Sequence, residues 1–83
     1  MSWIYYIRKH VLDLTQGQLA KEILINQTTV SRSEQNPENL PRAAFINLID
    51  LVSETTGKKL PAIWFFDAPE KDVLDNFFNI EVA

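Results

Sequence analysis

The chain has 83 residues, no cysteine, 46% hydrophobic residues and a formal net charge of −3. That length admits one domain with a modest core, and the missing cysteines exclude disulfides and thiolate zinc sites and fit a reducing cytoplasm. No apolar run approaches the roughly 18 residues of a membrane span, and no cleavable leader is legible, so a soluble cytoplasmic protein is expected.

Ser2 to Leu12 reads as a first helix, because Ile4, Ile7 and Val11 fall at i, i+3 and i+7. Trp3, Tyr5 and Tyr6 add bulk around that stripe and read as core and rim packing rather than as a ligand platform. His10 is the one histidine. A zinc site needs three or four such groups, so no metal site is expected.

The stretch from Leu14 to Asn36 reads as two short helices joined by a tight turn. Leu14, Leu19, Ala20 and Ile23 recur at helical spacing, with Thr15 as N-cap and Gln18 three places on, a capping-box pattern. The second of these helices runs from about Gln27 to Gln35 with Asn26 as its cap, and only Val30 is apolar well inside it. Gln27, Thr28, Thr29, Ser31, Arg32, Ser33 and Gln35 have little to bury and much to hydrogen-bond. Such a helix is held by its neighbours and shows a polar face outward. Base edges in a DNA major groove ask for donors and acceptors on a helix this slim.

Pro37-Glu38-Asn39 reads as loop, and Pro41 suits the first turn of a fourth helix. Phe45, Leu48, Ile49 and Val52 then make an i, i+3, i+4, i+7 stripe that Gly57 closes. The tail holds Trp64, Phe65, Phe66, Phe77 and Phe78, five of the nine aromatics. A helix starting after Ala68-Pro69 would put Val73, Leu74, Phe77 and Phe78 on one face, and strands are the alternative. Asp72 and Asp75 share a helical face, a pairing far commoner on solvated surfaces than in catalysis. No nucleophile–base set or Gly-rich phosphate loop appears, and no enzyme is expected.

The residues Leu14-Thr15-Gln16, Leu19-Ala20, Ile23, Gln27, Val30-Ser31-Arg32 and Glu34 carry a resemblance to the helix-turn-helix of the Xre superfamily, which includes phage Cro and CI-type repressors. It covers roughly residues 7 to 52. The chain departs from the family pattern at Leu24 and Asn36, where glycines are usual, and at Ser33, where a large apolar residue is usual. Asn36 would tolerate the left-handed backbone expected there. Asp13 also stands at a frequent glycine. The resemblance implies an all-α, lambda-repressor-like bundle of about five helices, with a DNA-binding segment over 1–56 and a C-terminal extension over 57–83.

The same resemblance implies the site. Gln27, Thr28 and Arg32 would face base edges, with Thr29 and Ser31 beside them. Gln16, Gln35 and Arg42 would contact phosphates, Gln16 also bracing the amide at Gln27. Lys9 matches a basic position that pairs with the acid at Glu34, and Arg8 is a second candidate for that pair. No cofactor is implied. The partners would be double-stranded operator DNA and a second copy of the chain, joined through Trp64, Phe65, Phe77 and Phe78. The role implied is that of a transcriptional regulator of the Cro or CI kind on a near-palindromic operator.

Charge argues the other way, since DNA binders gain affinity by neutralising phosphates. Its distribution softens the objection: residues 1–42 carry five cations against four acids, and residues 43–83 carry three against seven. The competing expectation is a protein-binding module on the same fold, an antirepressor or antitoxin using its acidic, aromatic tail.

Overall fold

The computed structural model describes residues 2–79, in which five α-helices, one π-helical segment and two short 3-10 turns pack around one core, with no strand among the described residues. Helix α1 (Trp3–Tyr6) begins where the Ser2 hydroxyl accepts the Tyr5 N–H at 3.2 Å. It does not continue as the single α-helix expected. Residues Ile7–Leu12 form a π-helix, closed by Asp13 at φ 53°. A π turn holds one residue more than an α turn, so the side chains that follow are rotated out of the expected stripe. Ile4 and Ile7 are buried and Val11 is only half-buried; Arg8, i+4 from Ile4, is buried on the same face.

Helix α2 (Gln16–Glu22) starts with the full capping box: the Thr15 hydroxyl accepts the Gln18 N–H at 3.1 Å, and the Gln18 amide oxygen accepts the Thr15 N–H at 2.9 Å. It ends where the Ile25 N–H reaches back to the Ala20 carbonyl at 3.0 Å, with Leu24 left-handed at φ 63°. This is the Schellman arrangement, whose left-handed position favours glycine. Leu24 is also 80% exposed. A left-handed backbone costs a non-glycine residue about 1–2 kcal/mol, and glycine's own entropy returns about 0.5–1 of that. Leu24→Gly is therefore expected to raise stability by about 0.5–1 kcal/mol in a urea titration. A lower midpoint would mean that the leucine side chain contributes packing that its exposure conceals.

Helix α3 (Gln27–Gln35) follows under the Asn26 cap. The chain then leaves it differently from the expectation at Asn36. That residue is extended, at φ −143°, and its side-chain oxygen accepts the Glu38 N–H at 3.2 Å. Asn36 thus caps the 3-10 turn Pro37–Asn39 instead of adopting a left-handed conformation.

Helix α4 (Arg42–Thr56) follows Pro41 and ends at Gly57, φ 75°. Phe45, Leu48 and Val52 are buried and Ile49 is half-buried. Asn47 ties α4 to the α2–α3 turn by donating to the Ile23 carbonyl at 3.1 Å.

The tail resolves as helix. A 3-10 turn at Ala62–Phe65 precedes α5 (Lys71–Phe78). Its rings run in one array, each touching the next: Phe65 on Phe45, Phe45 on Trp3, Trp3 on Trp64, Trp64 on Phe77, Phe77 on Phe78 and Phe78 on Tyr6, at centroid distances of 4.9–6.5 Å. Trp64 is only 7% exposed, so it belongs to the core of the single chain and offers a partner almost nothing. Phe65, Phe77 and Phe78 are half-buried against that core. Leu74 is buried, whereas Val73, expected on the same face, is largely exposed. Leu74, Phe77 and Phe78 are i, i+3 and i+4, and Val73 lies a 100° step off that stripe. The most exposed large apolar groups of the tail are Phe66, at 80%, and Ile63.

Two polar contacts hold α5 in place. Lys58 Nζ donates to the Phe77 carbonyl at 2.6 Å, and the Tyr6 hydroxyl donates to Asp75 Oδ1 at 2.5 Å, with Lys71 on Oδ2 at 2.8 Å. Asp75 is therefore a tethered group rather than a member of a solvated pair with Asp72. Burial, then the Asp75 hydrogen bond, push the Tyr6 phenol up from 10.0 to about 12. The protonated phenol is the form the fold favours, so its contribution is complete below about pH 10 and is lost as pH rises towards 12. Lys71 and then Tyr6 hold Asp75 below the usual carboxylate range, so its contribution is lost as pH falls through that range. Tyr6→Phe is expected to lower stability at neutral pH and to flatten the loss between pH 10 and 12. An unchanged alkaline limb in denaturant titrations would contradict the tether.

Candidate nucleic-acid interface

Helix α3 has one buried row and one outward row. Val30 and Ser33 point inward, and Gln27, Thr28, Arg32 and Gln35 are exposed. Ser33, at a place where a large apolar group is usual in the resembling family, is buried because its hydroxyl donates to the Thr29 carbonyl one turn back, at 2.7 Å. At the other end the Asn26 side-chain oxygen accepts both the Thr29 N–H and the Thr29 hydroxyl, each at 2.8 Å. Thr29 is thereby occupied within the helix, and its hydroxyl keeps only acceptor capacity for anything outside.

The strongest anchor is ionic. Arg8 Nε donates to Glu34 Oε2, Arg8 Nη2 donates to Glu34 Oε1 at 3.1 Å, and Arg8 Nη1 donates to the Leu14 carbonyl at 2.9 Å. The two side chains are only 9% and 8% exposed. Such a two-pronged, buried arrangement fixes the rotation of α3 about its axis as well as its position. The partner is Arg8 and not Lys9: Arg8 stands i+4 from Ile4, on the buried face of the first helix, and Lys9 falls one step off it. Lys9 stays exposed and lines a depression with Thr15, Gly17 and Gln27.

Gln16 joins the anchor as well. Its amide donates to Glu34 Oε1 at 3.0 Å rather than bracing Gln27. The Gln27 side chain lies instead over Gly17, where an added Cβ would stand 3.3 Å from the amide oxygen. Ser31 and Gln35 line a second shallow depression with Ser2, Tyr5, Gln16 and Glu34. Arg42 is exposed at the first residue of α4, and Asn39 Nδ2 donates to the Arg32 carbonyl at 3.4 Å, holding the intervening loop to α3.

The sequence-predicted set therefore divides. Gln27, Thr28, Arg32, Gln35 and Arg42 are exposed; Ser31 is half-exposed; Thr29 and Gln16 are held by internal hydrogen bonds. With Arg8 and Glu34 cancelling each other, the exposed charges of residues 1–42 are Lys9, Lys21, Arg32 and Arg42 against Asp13, Glu22 and Glu38. Sequence reasoning did not assign Lys9 to the surface near Gln27, where the structure places it. His10 packs edge-on against Tyr5 and Tyr6, and no group of three His, Asp or Glu side chains is placed to hold a metal ion among the described residues. No described helix is long and apolar enough to cross a membrane. Compared with protein-family models, with curated proteins and with solved structures, the chain matches none.

Proposed function

We propose that the chain is a sequence-specific DNA-binding regulator, a repressor of the Cro or CI kind, with α3 as the helix that enters the major groove. The observation that carries this reading is the outward row of α3: an amide at Gln27, a hydroxyl at Thr28 and a guanidinium at Arg32, on a helix whose flank is pinned at Glu34 by a buried ion pair. A helix that offers donors and acceptors outward in one fixed rotation suits reading of base edges. The Gln27 amide suits adenine and the Arg32 guanidinium suits guanine. Gln35, Arg42 and the exposed Lys9 would take phosphates, which set register. Catalysis has no part in this reading.

The proposal includes a homodimer formed through the tail, now over the exposed Phe66 and Ile63 and the outer edges of Phe65, Phe77 and Phe78, since Trp64 is used inside. Two weakly charged half-sites joined in this way gain through effective concentration. The acids Asp67, Glu70, Asp72 and Asp75 would lie away from the DNA; Glu81, which completes that acidic set, is outside the described residues, as is the end of the tail. A second reading, a capture module for another protein, is favoured by Phe66 standing exposed beside Asp67. Sedimentation separates the two: a chain that stays monomeric at tens of micromolar favours capture.

Arg32→Ala is expected to reduce the preference for a specific duplex over a scrambled one by about 1–3 kcal/mol, with the fold intact. Arg42→Ala should weaken both equally and flatten the slope of log affinity against log salt by about one unit. An Arg32 variant with the parent's discrimination ratio would remove the base-reading role.

A further inference from the structure

One groove lies away from the outward row of α3. It runs between the end of α2 and the outer side of α4 and is lined by Glu22, Leu24, Asn47, Asp50, Leu51 and Glu54. Asn47, Asp50, Leu51 and Glu54 stand at i, i+3, i+4 and i+7, a single stripe of α4 about 10 Å long at 1.5 Å per residue. The hydrogen bond from Asn47 to the Ile23 carbonyl fixes the groove against the turn.

Leu24 gives the groove its apolar edge and Leu51, half-buried, its floor. The side chain of Leu24 does nothing for the monomer: it is almost wholly exposed, at a backbone position where glycine is the cheaper residue. The acids Glu22, Asp50 and Glu54 surround it, all exposed and in no ion pair among the described residues. Lys21, though near in sequence, does not line the groove.

We propose that this groove docks a basic amphipathic helix of a partner protein, an apolar side chain seated between Leu24 and Leu51 and cations facing Glu22, Asp50 and Glu54. Two turns of a helix match the length of the stripe, and the unpaired acids on an apolar groove supply the charge complementarity that selects a basic partner. A second copy of this chain fits poorly, because no described helix carries more than one exposed Lys or Arg. Nucleic acid is repelled by the same acids. The site therefore stands whether or not α3 binds DNA.

The test is an NMR titration of the full chain with a synthetic lysine–leucine amphipathic helical peptide and with its glutamate–leucine counterpart. The basic peptide should shift the amides of Leu24, Asn47 and Leu51, and the acidic one should not. Leu24→Gly should weaken the basic peptide at least tenfold while keeping or raising the thermal midpoint, so that lost docking cannot be lost folding. Asp50→Lys with Glu54→Lys should weaken it similarly. The proposal fails if Leu24→Gly binds the peptide as the parent does, or if the shifts gather instead at Asp67, Glu70 and Asp72. It fails equally if Leu24→Gly abolishes self-association of the chain, which would make the occupant a second copy.

Discussion

Glu34→Ala is expected to destabilise the chain by about 3–5 kcal/mol, the cost of leaving one member of a buried ion pair without the other. Arg8 would keep the Leu14 carbonyl but lose both carboxylate contacts, and Gln16 would lose its acceptor. The loss falls on one inter-element joint, so α3 should also lose its fixed rotation, and any binding that depends on its outward row should fall further than stability does. Arg8→Met combined with Glu34→Leu should cost less than the sum of the single changes, because no charge is then left buried. Lys9→Ala is the control: as an exposed side chain it should stay within about 0.5 kcal/mol of the parent. Denaturant titrations of these variants give the comparison. A costly Lys9 change with a neutral Glu34 change would contradict the Arg8–Glu34 pair.

The second large effect is expected at Trp64. Trp64→Ala should cost about 3–5 kcal/mol, as other buried aromatic truncations do, because the ring sits between Trp3 and Phe77 and links α5 to α1. Phe66→Ala, at the exposed end of the same turn, should leave the stability of the single chain within about 0.5 kcal/mol of the parent. If the tail mediates dimerisation, the Phe66 variant should instead weaken self-association. The reverse pattern, with Trp64→Ala altering only the association state, would return that ring to the interface and take it out of the core.

These two expectations mark where the sequence is readable and where it is not. The Thr15–Gln18 capping box and the Asn26 cap are legible because each is a contact between residues three apart. The stripe of α4 is legible because its period repeats over several turns. The partner of Glu34 is not, since the choice between two neighbouring cations depends on where α3 packs, 26 residues further along the chain. Asn36 can satisfy a chain reversal in two ways; capping the next turn leaves its backbone extended. The tail gives two short apolar runs, which periodicity alone cannot divide between helix and strand. Trp64 and Phe66 are likewise indistinguishable in sequence: burial depends on where Trp3 and Phe77 arrive, from residues far away in the chain. Gln16 was expected near Gln27 by resemblance, and the nearer acceptor, the Glu34 carboxylate, takes it.

The claim that α3 reads DNA is tested most directly by selecting bound duplexes from a random pool at moderate salt. The account predicts enrichment of a near-palindrome whose half-sites are about one helical turn, roughly 34 Å, apart, and loss of one preferred base in each half-site when Arg32 is replaced by alanine. A pool that comes through the parent chain unenriched, or that yields the same consensus with Arg32→Ala, would contradict it.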